Sequence, residues 1–219
     1  MGPDQWRLLA RTISEEASRK DVAGVVVTHG TDTLEEAALF LHLTLSTDKP
    51  IVLTGSMRPA TALSPDGPAN LFHAVQVCAS ANASGRGVMV VMNGEILPAL
   101  HVVKRHSIAT NAFTSSPARP LGRVYSGRTF FFSDSTKAAL AGAFAGALSN
   151  DVVLPAVDIH YVAAGNSHAD LLSRDWTERS GLVIAGFGCG EIPDELVPEI
   201  NRLADDGITI VVSSRVADV

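Results

Sequence analysis

Val22-Ala23-Gly24-Val25-Val26-Val27, then Thr28-His29-Gly30-Thr31-Asp32-Thr33, then Leu34-Glu35-Glu36-Ala37-Ala38-Leu39-Phe40-Leu41-His42-Leu43-Thr44-Leu45, place three kinds of sequence in immediate succession. The first is a short apolar run rich in β-branched residues, the signature of a buried strand. The second is a polar turn. The third carries Leu34, Ala37, Ala38 and Leu41 at helical spacing, one face of an amphipathic helix. Thr33 followed by Glu36 fits a capping box at the start of that helix. A strand that runs straight through a turn into a helix is the repeating unit of a parallel α/β sheet.

Working outward, the same alternation recurs. Pro50 to Leu53 reads as a second strand, followed by a long Gly/Ser/Pro loop and a helix from about Pro68 to Ser80. Val88 to Met92 is a third strand, closed by an Asn93-Gly94 turn. Nearly unbroken apolar strands imply a parallel sheet covered on both faces. Between Ser133 and Asp151, Ala and Gly dominate and the alternation lapses. This stretch is expected to be a linker, with a domain over 1–132, the linker over 133–153 and a smaller α/β domain over 154–219. In the second domain, strands are expected at Ala156 to Val162, Gly181 to Ala185 and Ile208 to Val212, with helices near Ala169 and over Asp194 to Asp205. No internal repeat is evident.

Composition narrows the function classes. The 219 residues are 46% hydrophobic and 18% charged, which suits a compact globule rather than a disordered chain. The formal net charge is −6 with no basic block, so a nucleic-acid partner lacks its electrostatic footprint. No apolar run is long enough to span a bilayer. Cys78 and Cys189 lie far apart and form no CxxC pair, so no metal site is expected. Cys78 falls on the apolar stripe of a helix and reads as a small core residue. No signal-peptide pattern stands at Met1, and a cytoplasmic location is the expectation.

Ligands of open parallel sheets bind beyond the carboxyl ends of the strands, and three polar segments occupy that position here. In Thr28 to Thr33, hydroxyls and amides at a helix start favour an anion, while Asp32 offers a charge for an ammonium. A site with both features suits an amino acid. Helix capping alone would need one such residue, not four. In the second segment, Thr54-Gly55-Ser56-Met57-Arg58-Pro59 runs on to Ser64-Pro65-Asp66-Gly67-Pro68-Ala69-Asn70-Leu71. Gly55 permits close backbone approach, and long loops of this composition are often functional. A structural Asp66–Arg58 pair in a mere connector explains it equally well. The third element is Lys104. A lone lysine is ordinarily solvated; one buried beside a threonine hydroxyl would have its pKa lowered by desolvation and could accept the hydroxyl proton. His29 has no Ser or Cys partner nearby. Neither a GxSxG elbow nor a dinucleotide-binding glycine pattern occurs, and the spacing of Gly186-Phe187-Gly188-Cys189-Gly190 is wrong for one.

Val27 to Glu36 resembles the second active-site signature of the bacterial-type L-asparaginase/glutaminase family, and a ten-residue match of this kind is specific. Thr54 to Pro59, Ser64 to Leu71, Asn93 with Val102-Val103-Lys104, Gly186 to Gly190 and Ser213-Ser214-Arg215-Val216 resemble further blocks of the family. The resemblance implies a flavodoxin-like parallel domain followed by a smaller α/β domain, usually assembled as a homotetramer. It implies an amidohydrolase acting on asparagine, with glutamine left open as a second substrate, through threonine-based nucleophilic catalysis and without metal or organic cofactor. By this likeness Thr31, Asp32 and Lys104 are catalytic. Asp32 holds the substrate's α-amino group, Lys104 relays a proton, and Gly30, Gly55 and Ser56 join Thr31 and Asp32 in binding substrate.

Two departures stand out. Glu191 occupies a place where the family often carries Asn. The family's Thr-Gly-Gly-Thr motif, which holds the covalent nucleophile, does not occur in these residues. The chain is therefore expected to be a fragment, incomplete in both domains and impaired as an amidase by itself. A non-catalytic amino-acid-binding remnant is the alternative. An amidotransferase subunit relative acting on mischarged tRNA is a further one, disfavoured by the absent basic surface.

Overall fold

The computed structural model describes residues 2–133, 138–165 and 168–216. They form two compact units that divide between Val152 and Val153.

The first unit opens with helix α1 (Pro3–Ser18), which has Pro at its first turn and buries Ala10, Ile13 and Ala17. Strand β1 (Val25–Thr28) leads through the polar turn into α2 (Leu34–Thr44). Thr33 sits at the helix cap, but its hydroxyl makes no cap hydrogen bond, so the capping box read from Thr33 and Glu36 does not form. Strand β2 (Ile51–Thr54), helix α3 (Gly67–Cys78) and strand β3 (Val88–Met92) come next. β1, β2 and β3 pair in parallel, with Val25 opposite Ile51 and Val52 opposite Met89.

All five residues of β3 are buried, because two layers of helix need them. Val88, Val90 and Met92 join the core under α1 and α2 with Ala10, Ile13, Leu34, Ala38 and Leu41. Met89 and Val91 face the other way, into the core of Ala74 and Val77 from α3. Each such fully buried side chain contributes roughly 1.5–3 kcal/mol through removal of apolar surface from water.

Beyond β3 the sheet changes character. Asn93 (φ 49°) and Gly94 (φ 77°) both adopt left-handed backbone, the geometry of a two-residue hairpin turn. The chain reverses into β4 (Glu95–Pro98), antiparallel to β3. A second hairpin joins β7 (Gly122–Tyr125) to β8 (Arg128–Phe131). The six strands run in the order β1-β2-β3-β4-β7-β8, so the sheet is parallel on one half and antiparallel on the other. Between β4 and β7 lies a separate two-stranded ribbon of β5 (Val103–Lys104) and β6 (Phe113–Thr114). The Ala/Gly-rich residues from 138 onward lie along α2. The Gly142 and Phe144 amides donate to the His42 and Leu43 carbonyls, at 2.9 and 2.8 Å. Arg7 and Arg11 on α1 donate to the Ser149 and Leu148 carbonyls.

In the second unit, β9 (Val157–Tyr161), β10 (Gly181–Gly186) and β11 (Thr209–Ser214) form a parallel sheet with β10 in the centre. Helix α4 (Ala169–Leu172) is one turn long. Asp194–Leu196 forms a 3-10 turn that leads into α5 (Val197–Asp205). Leu182, Ile184, Leu196, Ile200 and Leu203 make the core of this unit. Among the described residues no helix is long and apolar enough to cross a membrane.

Candidate active site

The turn after β1 and the short strand β5 supply the charged groups. The Lys104 ammonium donates to the Thr31 hydroxyl at 3.0 Å and to Asp32 Oδ1 at 2.8 Å. Thr31 and Asp32 stand between β1 and α2; Lys104 comes from a different part of the chain, so the fold alone brings the three together. Their exposures differ sharply. The Lys104 side chain is 19% exposed and the Asp32 side chain 97%. The lysine is thus held from below, while the carboxylate lies open to solutes. The hydrogen bond from Lys104, and then its charge, hold the Asp32 carboxyl below the usual carboxylate range.

Glu35, in the first turn of α2, accepts a hydrogen bond from the Lys104 backbone amide. Burial pushes the Glu35 carboxyl up, and the charge of Glu36 adds to this; the Lys104 amide and ammonium pull the other way without overcoming it.

The loop after β2 lies against the same turn. A Cβ on Gly55 would stand 2.6 Å from the His29 carbonyl oxygen and 3.3 Å from the Thr31 methyl. Only glycine allows this approach, since carbon atoms do not come so close to a backbone oxygen. A Cβ on Gly30 would meet nothing within 4 Å, so space rather than packing lies beside that residue. Ser56 is exposed. Thr54, in contrast, is buried, and its hydroxyl donates to the Val91 carbonyl at 2.7 Å, which makes it part of the sheet.

Asp66 organises the loop through backbone rather than through Arg58. Its two oxygens accept from the Met57 and Arg58 amides at 3.0 and 2.9 Å, while the Arg58 guanidinium donates to the Ser64 carbonyl. The Asp66–Arg58 side-chain pair considered from the sequence is replaced by this amide clamp. Burial alone would raise the Asp66 carboxyl, but the Met57 and Arg58 amides, its own amide and Asn70 outweigh burial and hold it low. Asn70, on α3 and 2% exposed, ties the whole together. It donates to the Gly55 carbonyl at 3.1 Å and to Asp66 at 3.0 Å, and it accepts from the Asn93 amide at 3.0 Å. Sequence reasoning gave neither Asn70 nor Glu35 a role. The four-residue step from Asp66 to Asn70 at a helix start was the available signal for the first.

His29 turns inward, its Nδ1 2.7 Å from the Gly30 carbonyl oxygen, and serves the turn. Cys78 is half-buried on α3, where burial pushes its thiol up; Cys189 is exposed. Among the described residues no cluster of three or more His, Cys, Asp or Glu side chains could hold a metal ion. In the second unit the Gly186 to Gly190 segment folds into a tight turn. There Phe187 and Glu191 exchange backbone hydrogen bonds, and Arg215 stacks on Phe187 with its guanidinium carbon 4.5 Å from the ring centre.

Residues 1–137 match the family model described as Asparaginase, N-terminal. The chain belongs to the asparaginase family. A glutaminase-asparaginase of Pseudomonas fluorescens biotype A is 41% identical over 209 residues, which covers 95% of this chain and 57% of that protein. L-asparaginase 2 of Bacillus subtilis is 38% identical over 207 residues, covering 94% and 55%. The chain thus spans a little over half the length of these two relatives. A crystal structure titled probable cytoplasmic L-asparaginase from Campylobacter jejuni superposes with a TM-score of 0.86 at 38% identity, over 99% of this chain and 70% of that one. The asparaginase fold expected from the resemblance is the fold found.

Proposed function

We propose that Thr31, Asp32 and Lys104 belong to the active site of an amidohydrolase that converts L-asparagine to L-aspartate and ammonia. The observation that carries this reading is one half-buried ammonium bonded at once to a threonine hydroxyl and to an open carboxylate. A substrate ammonium brought to Asp32 takes over the carboxylate, which leaves Lys104 facing Thr31. The free-amine form of Lys104 is then placed to take the hydroxyl proton, as general base catalysis requires. The chemistry is threonine-based. A threonine oxygen adds to the side-chain amide carbon, the C–N bond breaks, ammonia leaves with the relayed proton, and water releases aspartate from the ester. The bare backbone at Gly30 and the loop at Gly55 and Ser56 line the approach for the substrate amide. The name of the Pseudomonas fluorescens relative covers glutamine as well as asparagine, and glutamine is the second substrate in this reading. A homo-oligomer and a cytoplasmic location complete it, the latter on the likeness to the Campylobacter jejuni protein.

The test is ammonia release from asparagine and glutamine, measured for this chain and for a form extended by the family's Thr-Gly-Gly-Thr segment. Each is compared with its Lys104→Met variant. Loss of a positioned proton acceptor should lower turnover by about 10²–10⁴-fold. Equal and measurable ammonia release by the extended form and its Lys104→Met variant, or none from the extended form, would overturn the proposal.

A further inference from the structure

We infer that Glu35 is a positioning residue for Lys104, one that keeps the ammonium beside Thr31 once Asp32 has turned to the substrate. This rests on the active-site reading above and adds to it a residue that never touches the substrate. The ribbon that carries Lys104 is only two residues wide on each strand and is not part of the main sheet. In an antiparallel pair, successive amides point alternately toward and away from the partner strand. The Arg105 amide points inward and donates to the Ala112 carbonyl at 2.7 Å. The Lys104 amide therefore points outward, and the group it meets is the Glu35 carboxylate.

Lys104 is in this way held at both ends by one short stretch of chain. Its backbone amide goes to Glu35, and its ammonium goes to Thr31 and Asp32. The two ends are not equivalent. Asp32 is open to solvent, whereas Glu35 is partly buried between the first turn of α2 and β5. The outer bond is available for exchange with a ligand; the inner bond is the one that persists. A carboxylate in the first helical turn is also favoured by the helix dipole, so α2 stabilises the acceptor where it stands. Glu36, next in sequence, is exposed and has no such part.

The experiment compares Glu35→Ala, Glu35→Gln and wild type in two measurements that need no turnover. The first is amide hydrogen exchange at Lys104 by NMR. The second is the rate at which acetic anhydride modifies the Lys104 amine, read by mass spectrometry against Lys20 and Lys49. In Glu35→Ala the Lys104 amide should lose its protection and the amine should react several-fold faster relative to the two reference lysines. Glu35→Gln, whose amide oxygen still accepts, should restore most of both. Where ammonia release is measurable, Glu35→Ala should lower kcat by about 10–100-fold with KM changed far less, the mark of a misplaced catalytic group rather than of lost substrate contact. Ammonia release is read in the form extended by the family's Thr-Gly-Gly-Thr segment; inactivity of that extended wild type would count against the active-site reading and leave the exchange and labelling results to decide on Glu35. Unchanged protection and labelling in a folded Glu35→Ala overturns the inference. So does lost protection with unchanged kcat.

Discussion

Asn70 offers the sharpest quantitative test of how the site loop is held. Its side chain is 2% exposed and, besides a long contact to the Met92 sulfur at 3.8 Å, makes three hydrogen bonds to oxygen and nitrogen partners: the Gly55 carbonyl, the Asp66 carboxylate and the Asn93 amide. The two neutral bonds contribute about 1 kcal/mol each, and the bond to the ionised Asp66 roughly 1.5–3 kcal/mol. Asn70→Ala removes all three and strands two backbone groups in a region with little access to water, so the expected loss is about 3–5 kcal/mol. A water entering the vacated space would recover part of this and move the result toward the lower figure. The chain has two tryptophans, Trp6 packed on the core of the first unit and Trp176 on that of the second. A Trp176→Phe background therefore lets Trp6 fluorescence track the first unit alone in a urea titration. The midpoint should fall with the slope unchanged, as for a pure stability effect. Asn70→Asp is nearly isosteric but cannot donate, and its new charge faces Asp66. It should be destabilised as well. A loss below about 1 kcal/mol in Asn70→Ala, or wild-type stability in Asn70→Asp, would refute the claim that donation from Asn70 anchors the loop.

That Asn70 is hidden in the sequence, while Thr31 and Asp32 are not, has a physical cause. Polar residues directly after an apolar strand are conspicuous, because strand and helix on either side fix where the turn must lie. Asn70 sits inside a helix, where a single polar residue among Leu71, Ala74 and Val77 looks like any surface position until the loop folds back over it. Glu35 misleads in the opposite sense. It reads as an ordinary first-turn acid, and its burial comes from β5, a strand 69 residues away in sequence. Lys104 stands out in the sequence only through the family resemblance; taken alone it reads as a solvated lysine, and only the docked ribbon buries it.

The fold divides along similar lines. Asn93-Gly94 marks a hairpin, and a hairpin directly after β3 makes the next strand antiparallel, so the mixed sheet is implied by two residues once their consequence is pursued. Strand limits are harder. Val22 and Ala23 are as apolar as Val25 and Val26, yet β1 begins at Val25 because that is where its partner Ile51 begins. Helix α1 carried its own signal in Pro3, Ala10, Ile13 and Ala17, the spacing of a buried face after a helix-starting proline.

Two further perturbations bear on the same loop. Asp66 is held below the ordinary carboxyl range, so its contribution to stability is complete above its unfolded pKa of about 3.9 and is lost as pH falls through the lower folded value. Asp66→Asn should flatten the acid limb of a stability-versus-pH curve below about pH 4; an unchanged limb would show that the amide clamp does not couple to folding. Gly55→Ala tests whether the two loops of the site are in hard contact. Its Cβ would stand 2.6 Å from the His29 carbonyl oxygen, and that oxygen is backbone, so no side-chain rotation can relieve the clash. Either the loop after β2 withdraws or the turn after β1 moves, and overpacking of this kind costs typically about 1–3 kcal/mol. The turn that would move carries Thr31 and Asp32, the residues proposed above as catalytic, and a displacement of about 1 Å in a catalytic group lowers turnover by around 10²-fold. Stability and ammonia release should therefore fall together in Gly55→Ala. A substitution in Ser56, one residue on and exposed, should leave stability within about 0.5 kcal/mol of wild type, which separates contact from mere proximity. A Gly55→Ala protein with the stability and turnover of its parent would mean that the His29 carbonyl has room to yield, and that the two loops are neighbours without being coupled.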